Sequence, residues 1–120
     1  MSNLKIGLPR AMLYHRYSML WTVFFQQLGA EVVTSRPTDK EILDQGTALC
    51  VDEACLSEKI YLGHVKSLIG TCDYILVPRI SNFGHKHMMC VRFEAMPDVC
   101  SSDLCRTLSK MYSAMFRRSF

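Results

Sequence analysis

The first 35 residues alternate between short apolar runs and one long amphipathic segment, and this alternation limits the folds open to the chain. The run LKIGL at residues 4–8 ends at Pro9 and is typical of a buried strand. A helical stripe follows, with Gly29 where a helix C-terminal glycine is expected. EVVTS at residues 31–35 predicts a second strand, so the segment predicts a βαβ unit with parallel strands. The stripe, expected in the core, consists of Leu13, Tyr17, Leu20, Trp21, Phe24, Phe25 and Leu28.

The segment after the second predicted strand carries helix signals and then another apolar run. Thr38 or Asp39 can cap a short helix, and Gly46 is expected to follow its end. TALCV at residues 47–51 is apolar and predicts a short third strand.

Two further elements complete the pattern. Residues 53–70 show a helical apolar face, and CDYILVPRI at residues 72–80 predicts the clearest strand, stopped by Pro78. Beyond it we expect mostly loop, with a short strand around Met88 to Arg92. The alternation predicts an α/β fold with an open, mostly parallel sheet and flanking helices, similar to a Rossmann fold.

Bulk composition narrows the class of protein. A chain of 120 residues, 49% hydrophobic, supports one core. It contains no apolar run long enough for a membrane span and no export signal, so a cytoplasmic protein is expected. Its six cysteines are then expected as buried residues, metal ligands or redox groups rather than disulfides. Residues 1–98 hold ten basic and ten acidic side chains, so neither nucleic acid nor a membrane is expected as a partner.

Three candidate functional segments lie at the ends of predicted strands. GLPRAM follows the first strand, VDEAC the predicted third, and VPRI closes the last. In an open α/β sheet these ends meet at the edge where ligands bind. None of the segments carries the glycine pattern of a dinucleotide or phosphate loop, which argues against a Rossmann dinucleotide site.

Cys55 is the first candidate for chemistry. It stands at or near a helix start, where the helix dipole favours a thiolate and suits metal ligation or nucleophilic work. The alternative is a small buried residue under the helix. Asp52 and Glu53 are interpreted as helix caps, and Cys50 and Cys72 as structural residues.

Cys90 is the second candidate, in an irregular region with His85 and His87 close by. No C-x2-C pair of a zinc site is present. Cys55 and Cys90, on separate loops at one sheet edge, are interpreted as two of several ligands to an iron–sulfur cluster. His64 is a lone histidine within a helix, for which a packed or exposed side chain is the simplest interpretation.

Three motifs in order carry a resemblance to a known family. KIGLPRAM, VDEACLSEKIYLGHV and DYILVPRI resemble the domain found in acyl-CoA dehydratase activase-related proteins of anaerobic bacteria, also called CoA-substrate-specific enzyme activases. That domain is similar to the iron–sulfur subunits of 2-hydroxyacyl-CoA dehydratases and benzoyl-CoA reductases. The resemblance covers residues 4–98.

The resemblance implies an α/β fold and a cysteine-bound cluster, of the 4Fe–4S type, used in low-potential electron transfer. Its implied partners are an activase ATPase domain and a CoA-thioester dehydratase or reductase, with ATP not bound by this chain. Cys55 matches the cysteine of the V-D-E-A-C-L motif. Cys90 matches a cysteine in the C-P-K-F motif of the family, from which Val91 and Arg92 depart.

Three further residues receive candidate cofactor-binding roles within the resemblance. His64 lies in the matching G-H-V motif. Arg10 and Arg79 each follow a proline at a predicted strand end, where they would neutralise an anionic cluster or contact a partner. The alternative for both arginines is a surface or ion-paired side chain.

The last segment is predicted to be foreign to the family. From Val99 the resemblance stops, and VCSSDL resembles translated read-through of a sequencing adapter. We therefore predict an incomplete family domain over residues 1–98 and an artefactual tail over residues 99–120, in which Cys100 and Cys105 have no function. The alternative is a short C-terminal helix, supported by the spacing of Leu104, Leu108, Met111 and Met115.

Two alternative functions, one in electron transfer and one in protein–protein docking, are consistent with the sequence. In the first, the chain is an iron–sulfur domain fragment of an activase-related protein that helps deliver low-potential electrons to a CoA-thioester enzyme, and is not catalytic alone. In the second, it is a non-catalytic module that docks an activase ATPase domain to its partner, with its cysteines buried.

Overall fold

The computed structural model describes residues 4–80, 90–96, 100 and 112–116, with the side chains of residues 79, 80, 93 and 112–116 excepted. Strands and helices alternate along this part of the chain. They are β1 (Lys5–Leu8), α1 (Tyr14–Gln27), β2 (Glu31–Thr34), α2 (Lys40–Leu49), α3 (Leu56–Leu68), β3 (Tyr74–Ile80), α4 (Val91–Glu94) and β4 (Tyr112–Phe116).

The strands form one sheet in the order β2-β1-β3-β4, and every pair is parallel. β1 pairs with β2 from Lys5↔Glu31 to Leu8↔Thr34, and with β3 at Ile6↔Tyr74 and Gly7↔Ile75. The predicted open α/β sheet and its opening βαβ unit are confirmed. Because the chain leaves β1 toward β2 and later returns to its other side as β3, the strand order reverses between β1 and β3.

Capping at two helices agrees with the sequence. The Asp39 carboxylate accepts a hydrogen bond of 2.9 Å from the Ile42 backbone N–H, which makes Asp39 the N-cap of α2. Gly29 follows α1 with φ of 86°, a left-handed conformation that glycine adopts without strain.

The predicted third strand at residues 47–51 is wrong. Helix α2 continues through Leu49, and Gly46 lies inside the helix rather than after its end. A Cβ on Gly46 would collide with the backbone carbonyl of Lys59 in α3, and a Cβ on Gly63 would collide with that of Ile42. The two glycines therefore let α2 and α3 touch backbone to backbone, and this contact holds residues 47–49 in the helix.

Three other boundaries also differ from expectation. β3 does not stop at Pro78 but runs to Ile80. Pro78 lies beyond the residues of β3 that pair with β1, so its missing N–H removes no hydrogen bond between β1 and β3. Residues 91 and 92 belong to α4 instead of a strand, while residues 88 and 89 lie outside the described part. Residues 112–116 form β4 instead of continuing a helix, and residues 104–111 lie outside the described part.

Helix α1 contributes less to the core than its stripe predicted. None of its residues is buried, and Leu20 and Phe24 are 57% and 56% exposed. Only one edge of the helix reaches the sheet, where Trp21 and Phe25 pack against the cluster of Ile6, Leu8 and Leu76. Leu13, just before the helix, is buried and Tyr17 is half-buried, whereas Leu20, Phe24 and Leu28 are exposed.

The main core lies between α3 and the sheet. From α3 come Tyr61, Leu62, Val65 and Leu68, and from β3 come Ile75 and Val77, joined by Ala11, Met96 and Cys100. Burial of these side chains supplies most of the hydrophobic stabilisation of the domain.

Replacing Gly46 by alanine is expected to destabilise the fold by about 1–3 kcal/mol or more, because the new Cβ forces α2 away from α3. The measurement is urea unfolding. Asp44→Ala, an exposed change in the same helix, is the matched control and is expected to stay within about 0.5 kcal/mol of the parent. An unchanged midpoint in Gly46→Ala would contradict the backbone contact.

Candidate functional site at the carboxyl edge of the sheet

Several chain segments meet where the parallel strands end, here called the carboxyl edge. Residues 9–13 follow β1 and residues 35–39 follow β2 at this edge. Helix α3 leads directly into β3, so it runs back across the sheet and its N-terminus lies on the same side. The expected convergence of GLPRAM and VPRI is therefore confirmed, since β1 and β3 are neighbours. VDEAC reaches this side as the turn between α2 and α3 rather than as the end of a strand.

A hydrogen-bonded cluster around the buried side chains of Ser35 and His64, the His64 node, ties three of these segments together. The Arg10 backbone N–H donates to Ser35 Oγ at 2.8 Å. Ser35 Oγ lies 2.7 Å from His64 Nδ1, and Thr38 Oγ1 lies 2.8 Å from His64 Nε2. Either neutral tautomer completes these bonds, because each hydroxyl can donate or accept: with the proton on Nε2, Ser35 donates to Nδ1 and Nε2–H donates to Thr38, and with the proton on Nδ1 both directions reverse. The node thus links the β1 loop, the β2 loop and α3.

The imidazole of His64 is held in its neutral form. The side chain is 0% exposed, and burial lowers its pKa, with further lowering by the positive charges of Arg10 and His15. Asp39 opposes this shift only in part. Since both ring nitrogens contact hydroxyls, contact of the ring with a cofactor would require one of these bonds to open.

The two candidate arginines lie on neighbouring strand ends. Arg10 is half-buried after β1 and enters the His64 node through its backbone, while its charge acts on the imidazole. Arg79 lies in β3, paired with Met115 of β4, and its side chain lies outside the description.

The two candidate thiols stand at the starts of two helices. Cys55 is the N-cap of α3, and its carbonyl accepts from the Lys59 N–H at 3.1 Å. The Cys90 carbonyl accepts in the same way from the Glu94 N–H at the start of α4. Both cysteines are exposed and free of disulfides.

An ion pair brings these two helix starts together. Arg92 Nη1 lies 3.2 Å from Glu58 Oε2, and the Glu58 side chain is only 7% exposed. Glu58 is three residues after Cys55, and Arg92 is two residues after Cys90. Arg92, where this chain departs from the family motif, therefore links the start of α4 to the start of α3.

The other predicted residues have structural positions. Asp52 and Glu53 are exposed and do not cap α3, because the chain enters the helix through Cys55. Cys50 and Cys72 are half-buried against the main core. Burial raises the pKa of the Cys72 thiol, which fits the structural role expected of it.

A complete metal site is not present within the described ranges. Across residues 4–80, 90–96, 100 and 112–116, no three His, Cys, Asp or Glu side chains are grouped to hold an ion. His85 and His87, noted near Cys90, lie outside these ranges. Cys55 and Cys90 are two thiols, fewer than the four thiolates that hold a 4Fe–4S cluster.

Sequence reasoning missed the partners of His64. Thr38 was considered only as a helix cap, and Ser35 only as the end of a strand. The usable signal was the hydroxyl-bearing residues after β2, which the βαβ topology places beside the β1 loop.

The chain belongs to the family described as the CoA enzyme activase uncharacterised domain, whose model matches residues 5–119. This confirms the resemblance to activase-related proteins. The match runs across residue 98, and the boundary between residues 1–98 and the tail stays a prediction. Comparison with curated proteins and with solved structures yields no match. Over the described residues, no helix has the length and apolar character to cross a membrane.

The neutral His64 predicts a pH dependence of stability. The unfolded imidazole titrates at a pKa of about 6.5, and the folded one at a lower pKa. As the pH falls below about 6.5 the unfolded state binds more protons, so the free energy of unfolding is expected to fall. Above about pH 7.5, His64 contributes no pH dependence.

Urea unfolding of the parent and of His64→Gln between about pH 5 and 8 measures this contribution. The variant is expected to show a flatter pH profile than the parent. His15→Gln, which removes an exposed histidine, is the control and should keep most of the slope. Equal slopes in the parent and in His64→Gln would show that the buried imidazole is not neutral.

Proposed function

We propose that the chain is an iron–sulfur domain of a 2-hydroxyacyl-CoA dehydratase activase-related protein, with a role in low-potential electron transfer to a CoA-thioester enzyme. The observation that carries this proposal is the pair of exposed thiols, Cys55 and Cys90, at two helix starts joined by the Arg92–Glu58 ion pair. The family membership supplies the CoA-enzyme context.

The surroundings of the two thiols suit an anionic cluster. A thiolate at the N-terminus of α3 lies at the positive end of the helix dipole. Exposure leaves both sulfur atoms accessible to iron, and the ion pair limits their separation without using a thiol. Iron–sulfur clusters are held by Cys thiolates, four of them in a 4Fe–4S centre. We propose that Cys55 and Cys90 supply two of these and that residues outside the described ranges or a partner supply the others.

The proposed partners follow from the same context. An activase ATPase domain would couple ATP hydrolysis to electron transfer, and a dehydratase or reductase would receive the electron. Arg10 and Arg79, near the carboxyl ends of β1 and β3, are proposed to balance the negative charge of the cluster or of the partner surface.

Anaerobic reconstitution of the chain with iron and sulfide tests the ligand assignment. We expect bound iron and the visible absorption of thiolate-ligated iron in the parent. Cys55→Ser and Cys90→Ser are each expected to lose most of both, because a hydroxyl is a poor replacement for a thiolate. Iron content and the visible spectrum are the two measurements.

Cys50→Ser is the matched control, since Cys50 is half-buried near the same turn and is not a proposed ligand. It should keep the iron of the parent. An iron content that is unaffected by Cys55→Ser would remove that residue from the ligand set. Absence of thiolate-bound iron from the parent chain, supplied with its partner domain, would reject the cluster.

A docking module is the second candidate function, favoured by the outward side of α1. Met19, Leu20, Val23 and Phe24, here called the α1 face, are each at least half exposed. Large apolar side chains grouped on one helix are typical of a surface that binds another protein. We propose the activase ATPase domain as the partner in this alternative.

The double variant Leu20→Gln/Phe24→Gln is expected to weaken binding to the ATPase domain by tenfold or more, on the order of the loss of two buried apolar contacts. Its thermal midpoint should barely change, since both side chains are already exposed. Isothermal titration and thermal unfolding measure the two quantities. Val51→Gln, an exposed apolar residue away from α1, is the control, and equal affinities for both variants would exclude the α1 face.

A further inference from the structure

Strand β2 is an edge of the described sheet. The strand order β2-β1-β3-β4 places β1 on one side of β2, and along the described residues no strand lies on its other side. In the inner strand β1, Ile6 and Leu8 are buried, whereas Val32 and Val33 of β2, which are also apolar, are only half-buried. The open side of an edge strand is a template for pairing with another strand.

The hydrogen bonds at the two ends of β2 show which of its backbone groups face this open side. The N–H groups of Glu31 and Ser35 donate to carbonyls at the two ends of the β1 segment, at 2.8 and 3.3 Å, so both residues face β1. Backbone direction alternates along a strand, so Val33 faces β1 as well. The N–H and C=O groups of Val32 and Thr34 therefore point to the open side.

The strand lacks the features that commonly block such an edge. Natural edge strands are protected from pairing by a lysine, a proline or a bulge within the strand. The sequence EVVT of β2 contains neither lysine nor proline, and its register with β1 runs without a bulge from Lys5↔Glu31 to Leu8↔Thr34. Pro37 lies beyond the last paired residue. Three consecutive β-branched residues also favour an extended, pairing-competent strand.

A second copy of the chain fits this edge in an antiparallel register. A two-fold axis through Val33 places Val32 of each copy opposite Thr34 of the other. Both residues face the open side, so each of these pairs can exchange two N–H···O bonds. Val33 lies opposite Val33 of the other copy in a non-hydrogen-bonded pair, with the two side chains close together. A shift of one residue would instead oppose the outward groups to groups that are already bonded to β1.

The charges of the strand are compatible with this register. Glu31 is the only charged residue of β2. In the antiparallel register it lies opposite Ser35 of the other copy and next to Arg36 of that copy, so a carboxylate meets a hydroxyl and a guanidinium rather than a second carboxylate. Like charges opposite each other would destabilise the pair, and this register avoids them.

The helices above the strands also fit together. Helix α1 packs over β1 and β2, and the two-fold axis places its copy on the same face of the joined sheet. With strands about 4.8 Å apart, the two helices lie about 10 Å from each other, which is the spacing of packed helices. The right-handed crossover of the βαβ unit turns the flank with Ser18, Thr22 and Gln26 toward β2. Small hydroxyl side chains there allow close approach.

We propose that β2 is a self-association surface, through which the chain forms a symmetric dimer by antiparallel pairing of β2 with β2 of a second copy. The two sheets then become one continuous sheet. The joint uses neither Cys55 nor Cys90 and none of the residues of the α1 face, so it goes beyond the proposed function and is tested independently of it.

Sedimentation equilibrium and amide hydrogen exchange of the 120-residue chain test the dimer. At about 0.1 mM we expect twice the mass of one chain, with dissociation on dilution. The N–H groups of Val32 and Thr34 should exchange more slowly as the concentration rises, because they become hydrogen-bonded across the joint. The N–H of Val33, which faces β1, is the internal control and should not respond to concentration.

Substitutions of the exposed Thr34 test the register. Thr34→Pro removes one outward donor from each copy without removing a donor to β1, and should raise the dimer dissociation constant about tenfold or more. Thr34→Lys brings two ammonium groups into diagonal positions across the joint, and should weaken the dimer in a manner that high salt partly reverses. Thr34→Val keeps the N–H and is the matched control. Thermal unfolding of diluted samples checks that each variant folds.

Three results would overturn the proposal. A single-chain mass of the parent at about 0.1 mM would exclude the dimer. A dimer of equal stability in the parent, Thr34→Pro and Thr34→Lys would place the interface elsewhere on the chain. Exchange rates of Val32 and Thr34 that do not depend on concentration would show that their N–H groups do not face a second copy.

Discussion

The contact between α2 and α3 is the constraint on which the rest of the domain depends. Gly46 and Gly63 let the two backbones touch, which brings α3 close enough for α2 to cover one of its sides. The sheet covers another side, through Leu62 and Val65 in the main core. Five consecutive residues, 61–65, are consequently buried, although one and a half turns of a helix point in every direction. A helix enclosed on all sides can carry polar groups inward.

Polar side chains of α3 reach the carboxyl edge in this way. His64 follows Gly63 directly and projects into the loops after β1 and β2, whereas Tyr61 contributes to a small cavity beside β3. The N-terminus of α3 remains at the surface with Cys55. Helix α3 thus contributes residues to the His64 node, to the cavity beside β3 and to the surface at Cys55. Its distance from α2 affects all three.

The order of the elements was predictable because hydrophobic periodicity is local. The opening βαβ unit, α3 and β3 followed from apolar spacing and from Gly29, and the parallel sheet followed from their alternation. TALCV failed because a short apolar run looks the same in a strand and in a buried helix. Gly46 was interpreted as a stop signal, whereas its lack of a side chain serves a contact with a segment 13 residues away in sequence.

Features that depend on tertiary placement were harder to predict. The apolar stripe of α1 correctly predicted a helix but overestimated how much of it is buried. Hydrophobic periodicity identifies the apolar face of a helix, but it does not say how much of that face is covered by other elements. For the site, topology predicted that GLPRAM and VPRI meet. It did not predict the hydroxyl partners of His64, nor the Arg92–Glu58 pair that links the starts of α3 and α4. These contacts need the orientation of side chains on elements that the sequence places only roughly.

The arrangement of hydrogen bonds divides the edge into supporting and reactive groups. The polar groups of the His64 node bind one another: the Arg10 N–H, two hydroxyls and both imidazole nitrogens form one chain of hydrogen bonds around the buried His64 side chain. A neutral imidazole in that position stabilises the loops without adding charge to the edge. The exposed thiols of Cys55 and Cys90 are different, because each retains bonding capacity that the described protein leaves unused. A node whose polar groups are all hydrogen-bonded to one another is rigid. It can therefore hold the neighbouring groups that remain free to bind a ligand in fixed positions, which a binding site requires.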